Sequence, residues 1–115
     1  ARAISHAACN MAKDLNLNII VTMTQSGGTA RMVSSYRPSA NIYAMTTMIE
    51  TYRALSIIWG VIPILVDKYN SSDEIPDLAK KKLQDMDIIM PDEKFIITGG
   101  VPVNIPGTTN YISVL

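Results

Sequence analysis

The apolar positions along this chain fall into alternating helical and strand patterns. Over residues 2–16, Ile4, Ala7, Ala8, Met11, Ala12 and Leu15 recur at three- and four-residue intervals, with Arg2, Ser5, Lys13 and Asp14 off that face. This is the spacing of an amphipathic helix. Leu17–Met23 is then a short run dense in β-branched residues, which suits a strand buried on both sides. A second helix is expected over about 27–36, with Ala30, Met32, Val33 and Tyr36 at helical spacing. Arg37-Pro38 ends it, because the residue before a proline resists the helical region.

Asn41–Thr46 reads as the second strand. Thr47 is placed to cap a third helix, with Glu50 completing a capping box. That helix is expected to bury Met48, Ile49, Tyr52, Leu55 and Ile58 and to stop at Gly60. Val61–Val66 is the third strand, and Pro63 inside it points to an edge or a strand end. Asn70–Glu74 is a polar loop, followed by a fourth helix over about 73–86 with Ile75, Leu78, Ala79, Leu83 and Met86 inward. Lys80-Lys81-Lys82 is read as a solvated face. Pro91-Asp92-Glu93 turns the chain into a fourth strand, Lys94–Thr98. Gly99–Thr109 is a loop, and Asn110–Leu115 alternates as the last strand.

Repeated βα units predict parallel strands joined by right-handed crossovers, with helices on both faces. Only a loop joins the last two strands, so the final one should run antiparallel at a sheet edge. The expected fold is an α/β three-layer αβα sandwich with a five-stranded, mostly parallel sheet. An edge strand at the carboxyl end, Tyr111, Ile112, Ser113 and Val114, is a candidate self-association surface.

Composition narrows the function. The 115 residues are 48% hydrophobic and 17% charged, which indicates one globular domain. Ten basic residues balance ten acidic ones, so no basic field points to nucleic acid. No apolar run approaches the roughly 20 residues of a membrane span. The single Cys9 forms no internal disulfide, which fits a reducing, cytoplasmic setting. There is no initiator Met, and residues 1–4 look helical with no cap before them, as if the chain belongs to something longer.

The chemistry concentrates at Thr24-Gln25-Ser26-Gly27-Gly28-Thr29. An apolar run ends in hydroxyl residues, crosses two glycines and enters a helix. A helix start offers unpaired N–H groups and the positive end of a macrodipole, which favour an anion. The competing reading makes Ser26 an N-cap and Gly27-Gly28 a turn. The loop has no lysine, unlike a Walker loop. His6 and Cys9 read as helix positions, and Trp59 as a packing residue. The carboxylates fall at helix surfaces or turns. A hydrolase or phosphatase would need a base beside Thr22, Thr24 or Ser26, and the motif contains none.

Several blocks resemble one family. Thr24–Ala30, Ser35-Tyr36-Arg37-Pro38 and Ile42–Thr46 are similar to the C-terminal domain of pyruvate kinase, as are Arg53–Pro63, Thr98–Pro102 and Gly107–Asn110. The resemblance runs nearly the whole chain, in order. It implies a fragment of a longer chain, a regulatory and oligomerisation domain that is inactive alone. The whole enzyme would transfer phosphoryl from phosphoenolpyruvate to ADP in glycolysis, with Mg2+ and K+, in a catalytic barrel domain lying elsewhere.

The resemblance also implies an effector phosphate on the loop at Thr24, Gln25, Ser26, Gly27, Gly28 and Thr29. The loop containing Asn104, Gly107 and Thr108 would close over the effector, and the last strand would take part in a homotetramer interface. Two departures matter. Asp92-Glu93 stands where many members have Gly-Asp, and Gly28 stands where some carry a basic or polar side chain. With no Lys or Arg in 99–109, a sugar or nucleotide monophosphate fits better than a bisphosphate. Three or four charged hydrogen bonds, less binding entropy, give affinity roughly near millimolar. The alternative is a free-standing sugar-phosphate- or nucleotide-binding domain of the same fold.

Overall fold

The computed structural model describes residues 2–100 and 109–115. Its elements, in chain order, are α1 (Arg2–Asp14), β1 (Ile19–Met23), α2 (Gly28–Ser35), β2 (Asn41–Thr46), α3 (Ile49–Leu55) and β3 (Val61–Leu65). A 3-10 turn (Ser72–Glu74), α4 (Ile75–Asp85), β4 (Ile96–Gly100) and β5 (Thr109–Val114) follow. The sheet order is β3-β2-β1-β4-β5, parallel except for the β4–β5 pair. Pro63 lies in β3, an edge strand, where a missing N–H costs least. The expected sandwich, with β5 antiparallel at an edge, is therefore the fold found.

Crossover handedness sorts the helices. The chain steps from β1 to β2 to β3 in one direction, so α2 and α3 share a face. It then returns past β2 and β1 to place β4, and α4 consequently crosses the opposite face. The cores follow suit. Ala8 and Ala12 of α1, Ala30 and Val33 of α2 and Leu55 of α3 pack on Ile20, Ile42, Ala44, Val61 and Ile96. Ile75, Ala79 and Leu83 of α4 pack on Val21, Tyr43, Met45, Ile64, Phe95 and Ile97. Alternation along β1 sends Ile20 to one core and Ile19 and Val21 to the other, so the whole strand is buried. Both cores are built from this chain's own residues, which makes the domain a folding unit.

Two helices depart from the expected faces. In α1 the buried positions are Ser5, Ala8 and Ala12, while Leu15 is 52% exposed beyond the helix end. Small side chains let α1 approach the sheet closely, and that rotates the face toward Ser5. In α3 the Thr47–Glu50 capping box does not form. Met48 is the N-cap, with no side-chain bond to the helix end, and its own N–H is taken by Thr46 Oγ1 at 3.1 Å. Glu50, Met48, Ile49 and Tyr52 are exposed, Ile58 is half-buried, and only Leu55 of α3 is buried. Met86 of the fourth helical stretch is also exposed, one residue past the end of α4. Lys80 and Lys81 are solvated as expected, and Lys81 pairs with Asp85 at 3.1 Å.

Candidate functional site

The C-terminal ends of β1 and β4 lie side by side at the centre of the sheet. Here the strand order reverses: β1 leads away through α2 to β2, and β4 arrives from the far edge. In open α/β sheets such a switch point is where a crevice opens for ligand. The loop that leaves β1 there is 24–29. The chain also leaves β4 there, at Gly100, toward Asn104, Gly107 and Thr108, which lie outside the described residues.

The 24–29 loop is held from both sides. Thr24 is buried, its N–H bonds to Met45 O at 2.9 Å, and its hydroxyl accepts the Gly27 N–H at 2.9 Å. Gly27 is the N-cap of α2 with φ +88, a left-handed conformation that glycine adopts without cost. A Cβ there would meet Leu55 Cδ2 at 3.1 Å, so Gly27 is also fixed by the close approach of α3. Ser26 does not cap the helix; its hydroxyl accepts the Gly28 N–H at a long 3.4 Å. Gln25 is gripped by Thr47, whose hydroxyl donates to Oε1 at 2.9 Å, and by Thr51, whose hydroxyl donates to the Gln25 carbonyl at 2.6 Å.

Of the expected donors, the Gly27 amide is thus turned inward onto Thr24. Ser26 and Gly28 are exposed, Gln25 is half-buried, and Thr29 is buried. The exposed part of the loop is Ser26 and Gly28, with no charged side chain between 24 and 29. Sequence reasoning took Thr47 as a helix cap and Leu55 as core, did not name Thr51, and placed none of the three at this loop. Their four-residue spacing is the signal: it sets all three on one side of α3 and its lead-in, facing this loop.

The remaining candidates sit apart from this loop. Ile112, Ser113 and Val114 are half-buried on β5, with Ile112 and Val114 packed against the α1–α3 side of the core. Nothing is described of the Tyr111 side chain. His6 is exposed and stacks on Tyr36, with ring centres 4.9 Å apart. Cys9 is half-buried, and burial pushes its thiol above the usual range, away from the reactive thiolate. Trp59 is half-exposed and lies under the Arg37 guanidinium at 4.5 Å.

Comparison with known proteins decides the family. The model of the pyruvate kinase alpha/beta domain matches residues 2–115. The chain belongs to that family. Pyruvate kinase from Clostridium acetobutylicum is 40% identical over 111 residues, which are 96% of this chain and 24% of that protein. Pyruvate kinase from Thermotoga maritima is 39% identical over 115 residues, the whole of this chain and 24% of that protein. A solved structure described as Cryptosporidium parvum pyruvate kinase in complex with ADP superposes with a TM-score of 0.86 at 32% identity, over 99% of this chain and 23% of that one. The pyruvate kinase domain described here therefore spans about a quarter of the length of these relatives. Among its described residues no helix is long and apolar enough to cross a membrane.

Proposed function

We propose that this domain regulates and assembles a pyruvate kinase whose phosphoryl transfer from phosphoenolpyruvate to ADP takes place elsewhere in the protein. The 24–29 loop receives the phosphate of a small effector, a sugar phosphate or nucleotide monophosphate, with Asn104, Gly107 and Thr108 on its other side. The observation that carries this reading is the position of an open, uncharged loop at the start of α2, on the strand end where the sheet reverses. The start of α2 presents the positive end of the helix dipole, with Ser26 and Gly28 exposed beside it. Without a lysine or arginine in the loop, binding would rest on amides and hydroxyls, hence weak affinity and a preference for a single phosphate.

The chemistry itself needs metal-holding carboxylates and a positioned cation. Among the described residues no three His, Cys, Asp or Glu side chains gather into a group that could hold a metal ion. In this reading the Mg2+ and K+ of the reaction belong to the catalytic barrel domain. That barrel and the other subunits of a homotetramer are the partners in this reading, in the cytoplasm, with the 111–114 edge of β5 at a subunit contact. The exposed Ile57, Trp59, Ile62 and Leu65 at the β3 edge suit a chain that continues into further domains.

Gly28 supplies the test. A Cβ at this position meets only Ser26 Oγ, at an ordinary 3.5 Å, so Gly28→Asp fits the fold. A carboxylate at a helix start stabilises the helix by about 0.3–1 kcal/mol. The same carboxylate repels phosphate. Titration with ribose 5-phosphate should shift the Ser26 and Thr29 amide resonances of the wild type, with at least a roughly tenfold loss of affinity read at those amides in Gly28→Asp and an unchanged or higher melting temperature. Equal binding by both would remove the loop from the site.

A further inference from the structure

We propose that the cleft between α1 and the α2–β2 connection is a second anion site, distinct from the 24–29 loop, that takes a small phosphate monoester. The cleft encloses about 340 Å3. Its wall carries His6, Asn10 and Lys13 from α1, and Tyr36, Arg37 and Ser39 from the end of α2 and the segment after it. A lysine, an arginine and an imidazole meet at one hollow, and no Asp or Glu side chain lines it. Among the described residues neither Lys13 nor Arg37 has a carboxylate partner; the ion pair there is Lys81–Asp85, on α4 across the sheet. Unneutralised cations around a concave surface favour an anion, and guanidinium geometry matches phosphate oxygens. Asn10 and Ser39 add uncharged donors, while Pro38 and Ala40 give an apolar wall for the carbon part of a monoester.

Two of the lining side chains are already held in place. Arg37 lies 4.5 Å from the centre of the Trp59 ring, and His6 stacks on Tyr36 with an interplanar angle of 11°. Holding them before the ligand arrives lowers the entropy lost on binding. Arg37 also has φ +52. The other non-glycine residues in this region, Asn16 and Asp87, are types that tolerate it, whereas arginine is strained. Glycine at position 37 would cost the backbone less. Cys9 lines the same cleft, but its thiol is held toward Val33 O at 3.9 Å and burial keeps it protonated. The cleft therefore offers binding groups and no nucleophile.

The strain at Arg37 makes the proposal testable, because folding and binding should move in opposite directions. The 115-residue chain carries its own two cores and serves as the sample. Inorganic phosphate and ribose 5-phosphate are titrated while the amide resonances of Arg37, Ser39 and Ala40 are followed, together with fluorescence of Trp59, the single tryptophan. Both ligands should move these signals, ribose 5-phosphate at lower concentration. Arg37→Gly should melt at a higher temperature yet bind about tenfold more weakly at the cleft. Lys13→Gln, at an exposed helix position, should weaken binding similarly with an unchanged melting temperature. Gly28→Asp should leave the cleft signals responsive, which separates this site from the loop. Unmoved signals at 37–40, or the same titration in Lys13→Gln and Arg37→Gly as in the wild type, would overturn the proposal. Equal affinity for the two ligands would overturn its assignment to a monoester.

Discussion

A methyl group at Gly27 would sit 3.1 Å from the Leu55 side chain, on a backbone at φ +88 that L residues rarely adopt. Gly27→Ala should therefore lower stability by about 1–3 kcal/mol in urea unfolding, through both strain and contact. Ala at position 28 has no such obstacle. A different residue-scale feature lies under α1. Thr22 and Thr98 are register partners on β1 and β4, both fully buried, and neither hydroxyl has a hydrogen-bond partner. An unpaired buried hydroxyl costs free energy, so Thr22→Val and Thr98→Val should each leave stability unchanged or raise it by up to about 1 kcal/mol. A loss of stability on urea melting would show that these hydroxyls share an internal water instead. Cys9 gives a chemical check: its half-buried thiol, raised in pKa by burial, should react with iodoacetamide at pH 8 more slowly than the same thiol in the unfolded chain.

At the scale of elements, α3 shows what hydrophobic spacing does and does not reveal. Met48, Ile49, Tyr52 and Leu55 recur as a helical stripe, yet of these only Leu55 is buried. Periodicity identifies an apolar face but not whether anything covers it. The contrast is measurable. Leu55→Ala should cost about 2–4 kcal/mol, since it empties space between α3 and Gly27, whereas Tyr52→Ala, at a side already 36% exposed, should cost under about 1 kcal/mol. α1 shows a second limit, because which of two adjacent faces turns inward depends on how closely the helix can approach the sheet. Ser5 is small enough to lie underneath, and Leu15 falls past the last turn. The sheet was legible for a physical reason. The order of βα units and the hand of the crossovers leave few arrangements, and a connection before β5 shorter than the dozen or so residues of a crossover forces its reversal. The loop was legible in its place but not in its wiring. Its bend follows from Gly27, while the capture of the Gly27 amide by Thr24 and of Gln25 by Thr47 and Thr51 depends on side chains folding back from other elements.

For the whole molecule, the proposed reading puts binding and chemistry in different parts of the enzyme. A quarter-length piece of the relatives' chain holds a complete two-faced core, a sheet reversal point and an open loop, without a metal-sized group of ligating side chains among its described residues. The chain on its own should give no ATP from phosphoenolpyruvate and ADP in a coupled assay, and turnover by it would contradict the division of labour. An amide titration of the chain with ribose 5-phosphate tests the proposal that the tip of α2 accepts a phosphate. Ser26, Gly28 and Thr29 should shift together and saturate in roughly the millimolar range. Shifts at Arg37–Ala40 report the separate cleft. Resonances of Ser26, Gly28 and Thr29 that stay fixed up to about tens of millimolar would contradict that proposal.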